Sequence, residues 1–78
     1  MSYREEYVTM QAVADALHLS LGMLKATWSV CQGPRAKRIA GHDGLYSLQD
    51  VVFFLKEIVP QRFGYPVEAE LRNSTITL

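Results

Sequence analysis

The chain is poor in sulfur chemistry: Cys31 is its only cysteine. One thiol makes no intrachain disulfide and no zinc cluster by itself, which sets aside the disulfide-stapled secreted scaffolds and fits a reducing compartment. Long apolar runs are lacking as well. The longest, Val51-Val52-Phe53-Phe54-Leu55, is far short of a membrane span. The start, Met1-Ser2-Tyr3-Arg4-Glu5-Glu6, is polar and acidic, without the basic and apolar regions of a signal peptide. A cytoplasmic location with no membrane contact is therefore expected. Length is also scarce. A chain of 78 residues leaves a thin interior and little room for a walled catalytic cleft. A binding module is expected rather than an enzyme, with no cofactor.

Net charge is absent too, since eight Lys and Arg offset eight Asp and Glu. The balance hides an asymmetry. Between Ala16 and His42 there is no acidic residue, while Lys25, Arg35, Lys37 and Arg38 all lie there. A basic middle between acidic ends points to a local anion-binding surface; the ordinary alternative is a solvated face.

Apolar spacing organises the chain. Thr9 is a helix N-cap, and Met10, Val13, Ala14 and Leu17 follow at i, i+3, i+4 and i+7, ending near His18. Ser20 caps a second helix carrying Leu21, Leu24 and Trp28, and Gly33-Pro34 stops it. Two short helices so closely joined read as a helix-turn-helix. Residues 36–40 and 45–47 flank the cluster Gly41-His42-Asp43-Gly44 and predict a hairpin with His42 and Asp43 at its tip. Ser47 and Asp50 form a variant capping box for a third helix whose core face is Leu48, Val51, Val52, Leu55, Ile58 and Val59. Pro60 ends it. The expectation is a mainly α domain over residues 1–60 with a small β-hairpin. A C-terminal tail over 61–78 is read as an oligomerisation or packing arm, with β character in residues 74–78 but no evident partner strand.

The segments Val8 to Ser20, Gly33-Pro34-Arg35-Ala36-Lys37-Arg38-Ile39, and Leu45-Tyr46-Ser47-Leu48-Gln49-Asp50-Val51 occur in an order that resembles the phage excisionase-like and AlpA-like DNA-binding domains. These overlap with the MerR-type N-terminal domain. The resemblance covers about residues 8–58. It implies a winged helix-turn-helix, with the second helix in the major groove and the wing on the backbone. Carried over, the outward positions of the second helix are Ser20, Gly22, Lys25, Ala26 and Ser29. Where relatives often carry arginines at the start of this helix, this chain has Leu21-Gly22-Met23, so base readout falls to Lys25 and Ser29 with help from apolar contact. Arg35, Lys37 and Arg38 are expected on phosphates, with His42 at the wing tip.

Other chemistry is thin. His18, His42 and Cys31 lack the short-spaced ligand pairs of a zinc site, so no metal is expected; His18 reads as a turn residue and Cys31 as a small buried or half-buried group. Trp28 reads as core. Phe53 falls among Gln49, Asp50, Lys56 and Glu57, opposite the core face. Burying a Phe is worth about 1.5–3 kcal/mol, so a cover is expected, either Phe63 and Tyr65 of the tail or a second copy of the domain. The partner implied by the resemblance is double-stranded DNA, with an integrase or another phage protein as a further partner; because one small domain covers little DNA, dimers or cooperative arrays are expected. The role would be excision control or transcription regulation. The alternative is a phage adaptor, in DNA packaging or inhibition, that docks the same domain on a protein.

Overall fold

The computed structural model describes residues 5–58, 60, 61 and 65–77, with Tyr65 described in its backbone alone. Among them are four helices and a three-stranded antiparallel sheet. Chain order is β1 (Glu6–Thr9), α1 (Met10–Leu17), α2 (Leu21–Val30), β2 (Leu45–Ser47), α3 (Leu48–Ile58), α4 (Tyr65–Asn73) and β3 (Ile76–Thr77). The sheet order is β2-β1-β3, with Val8 opposite Tyr46 and Tyr7 opposite both Ser47 and Ile76. This is a mainly helical domain, compatible with a helix-turn-helix bearing a wing.

Local chemistry sets the α1–α2 corner. Thr9 Oγ1 accepts from the Ala12 amide at 3.1 Å, and Ser20 Oγ accepts from the Met23 amide at 3.2 Å. Each hydroxyl satisfies one of the orphan donors of a helix start. Between the caps, His18 adopts the left-handed conformation at φ 57°. Its amide donates to Asp15 O (3.2 Å), and the Leu19 amide to Ala14 O (3.0 Å), which is a Schellman ending. Leu19 then packs against the core, as the apolar residue of that motif does. The end of α2 repeats the device. Gln32 is left-handed at φ 54°, and the Gly33 amide donates to Trp28 O at 2.8 Å.

The core joins Val8, Val13, Ala14, Leu17, Leu24, Trp28, Leu48, Val51, Phe54, Leu55 and Leu71. Trp28 is its largest side chain. Phe54 and Tyr46 meet its ring edge-on, at centroid distances of 4.8 and 5.5 Å, and its indole N–H donates to Pro34 O at 2.8 Å. The buried face of α3 differs from the expected one. Phe54 joins Leu48, Val51 and Leu55 inside, while Val52 and Ile58 are half-buried; Val59 lies outside the described residues. The large flat ring of Trp28 makes room for an aromatic edge at position 54, which spacing alone does not encode.

Four further expectations are corrected. The hairpin between 36–40 and 45–47 does not form a ladder; β2 pairs with β1, and the loop carries only the isolated bridge Ile39–His42. One bond, Lys37 N–H to Leu45 O at 2.7 Å, ties the two segments. The tight turn sits two residues earlier than expected: the His42 amide donates to Ile39 O at 3.0 Å, with Gly41 at φ 80° as its third residue. His42 therefore closes the turn, and Asp43 follows it. Among the described residues, 65–77 pack against the domain, so its core does not end at residue 60. Leu71 of α4 is fully buried in the common core, α4 packs on α1 and α3, and β3 takes the free edge of β1. Cys31, finally, is exposed at the end of α2, where the chain leaves the core.

Candidate nucleic-acid interface

The α2 surface follows from the helix period. Leu24 and Trp28 point into the core, with Leu21 beside them half-buried. Ser20, Gly22, Lys25, Ala26 and Ser29 are all exposed, so the five positions carried over from the resemblance share the outer surface of the corner and its helix. Ala26 lies near the middle of that face, with Lys25 toward one edge. Met23 and Val30, 58% and 82% exposed, occupy the other edge. Neither was singled out from the sequence. The signal was present in their i, i+7 spacing on the side away from Leu24 and Trp28. No acidic residue occurs in α2, so its positive N-terminal end is uncompensated from within the helix.

The basic segment after α2 is held at both ends. Trp28 Nε1 fixes Pro34, and the Lys37–Leu45 backbone bond fixes the segment to the sheet. Arg35, Lys37 and Arg38 lie between or just beyond these ties and are exposed, as is His42. They are not equivalent. Lys37 Nζ lies 3.6 Å from the Asp50 carboxylate in the first turn of α3, with both side chains about half-exposed (45% and 50%). Arg35 and Arg38 have no carboxylate partner among the described residues. The pairing holds Lys37 toward α3, while the neighbouring Arg38 makes no such pair among the described residues. Asp50 therefore serves Lys37, which the capping-box reading of Ser47 and Asp50 had not included. Asp43 adds one carboxylate to the hollow formed by Ala36, Lys37, Arg38, Ile39 and Gly44.

The second proposed surface is different in kind. Phe53 is 68% exposed and borders an open groove with Cys31, Pro34, Phe54, Glu57 and Ile58. Helix α4 is engaged with α1 and α3 through Leu71 and half-buried Val67. Phe63 and the side chain of Tyr65 lie outside the described residues, so the cover expected from them has no structural counterpart here. His18, His42 and Cys31 are not brought together; no three His, Cys, Asp or Glu side chains group as a metal set among the described residues. No described helix is long and apolar enough to cross a membrane.

No family model, curated protein or solved structure matches this chain. What the surface can bind therefore rests on its own chemistry. The acid-free stretch from residue 17 to residue 42 supplies an exposed helix face and, beyond the C-terminal end of that helix, a tethered, exposed cationic segment.

Proposed function

We propose that this chain is a small DNA-binding protein of winged helix-turn-helix type, with α2 in the major groove and the 33–44 loop as a wing on the phosphate backbone. In this reading it serves a phage or mobile element as an excisionase or a transcription regulator. The single observation that carries the reading is the charge placement. All four cations of the acid-free stretch, Lys25, Arg35, Lys37 and Arg38, are exposed, and three stand on or next to a segment tied at Pro34 and Lys37. Pre-positioned cations neutralise phosphates without ordering a loop on binding. Lys25 is the one long donor on the outer face of α2, and Ser20 and Ser29 supply short ones. A single domain covers little DNA, so dimers or cooperative arrays are part of the proposal.

The test is a salt titration of binding to random duplex DNA. Three or four phosphate contacts give a log–log slope of roughly −3, at about −0.9 per contact. No binding at low salt, or binding without salt dependence, would sink the proposal. A second reading, an adaptor docking on another phage protein, draws on exposed Phe53 and its groove. Binding to a protein partner that Phe53→Ser abolishes, in a chain that ignores duplex DNA, is its signature.

A further inference from the structure

The outer face of α2 carries more apolar surface than phosphate binding explains. Met23 is 58% exposed, and Ala26 beside it is exposed as well, one turn apart on the same face. Gly22, in the first turn, has nothing within 4 Å of where a Cβ would sit. Packing therefore does not require glycine there, and its missing side chain leaves the flank of Met23 and Ala26 open to close approach. Polar readers are few. The face has no arginine, Lys25 is its one cation, and the Ser20 hydroxyl already accepts the Met23 amide.

We propose that this face recognises thymine methyl groups, with Met23 and Ala26 against the 5-methyls of an A·T-rich major groove and Lys25 alongside as donor. The inference rests on the DNA-binding reading above and names the class of sequence it would prefer. Each base pair presents a distinct pattern in the major groove, and the thymine methyl is its one apolar feature. Small and flexible apolar side chains match it, whereas guanine edges call for arginine. Charge complementarity favours a nucleic acid over a protein as the occupant of this face. The helix has no carboxylate, its positive end is uncompensated from within, and the exposed cations of the loop follow it directly.

The experiment compares the full chain on alternating A·T, A·U, G·C and G·5-methyl-C duplexes of about two helical turns. Replacing thymine by uracil removes the methyl and changes nothing else in the groove. Binding to A·T is expected to exceed binding to A·U by roughly fourfold for each methyl contacted, the worth of one buried carbon. Methylated cytosine should gain over cytosine by a similar factor. In Met23→Ala, an exposed position that leaves the fold intact by Trp28 fluorescence, the A·T over A·U ratio should fall toward one. Equal affinity for A·T and A·U, with a normal salt slope, overturns the methyl proposal and leaves DNA binding standing. No binding to any of the four duplexes overturns both and assigns the apolar edge to a protein.

Discussion

Lys37 and Arg38 show how neighbours with the same charge take different work. Lys37 faces Asp50 at 3.6 Å, and a half-exposed pair of this kind adds at most about 1 kcal/mol to stability. Its larger consequence is that Asp50 competes with phosphate for the ammonium. Arg38→Ala should flatten the salt slope of DNA binding by about 0.9, equally on any sequence, as for one lost phosphate contact. Asp50→Asn should free Lys37 and raise duplex affinity, most visibly at low salt. Unchanged titrations in both variants would remove the loop from the mechanism. Gly33 matters for a separate reason. A Cβ there would stand 2.6 Å from Trp28 Nε1, on the ring that also holds Pro34. The cost of Gly33→Ala is expected at about 1–3 kcal/mol, as for an overpacked core, read from urea unfolding. The same variant should loosen the basic segment and weaken DNA binding beyond its effect on folding.

Among the elements, α4 is the one whose role changes most between sequence and structure. Among its described side chains, Val67 and Leu71 form the inward stripe, too short for a clear period, and Pro66 in the first turn reads as a break although a helix start tolerates it. Leu71→Ala should cost about 2–5 kcal/mol, the range for a fully buried leucine, and thermal melting would show it directly. A melting temperature unchanged in that variant would mean that α4 is not part of the folded unit. Helix α3 gives the opposite case. Phe53, 68% exposed, should be replaceable by Ser with a change of roughly 0.5 kcal/mol or less in stability, while Phe54→Ser should unfold the Trp28 cluster. Sedimentation of the Phe53→Ser chain then tests the self-association expected for this residue. Loss of stability alone would point to a covering segment.

At the scale of the whole molecule, the sheet ties the ends of the described chain together. Strand β1 pairs with β2 on one side and β3 on the other, so both flanks of the helical corner close through one strand. A chain cut after Gln61 loses Leu71, α4 and β3 at once. Calorimetry should then show the cooperative transition lost or strongly lowered, whereas a sharp, unshifted transition would restore residues 1–60 as a domain of their own. Much of the α1–α2 corner was legible in the sequence. Thr9, Ser20 and His18 act through bonds to residues three or four positions away, and the Leu24–Trp28 face obeys the helix period, so local chemistry is enough to place them. The exposed Lys25, Arg35 and Arg38 were legible for the same reason, since charged side chains avoid a dry core. The partner of β2, the ion pair of Lys37, the inward turn of Phe54 and the docking of α4 were not. Each depends on a surface made by residues distant in sequence: β1 for the strands, α3 for the lysine, the Trp28 ring for Phe54, and the α1–α3 face for Leu71. Local propensity carries no information about which distant surface a segment meets, and burial against that surface is what decides its place.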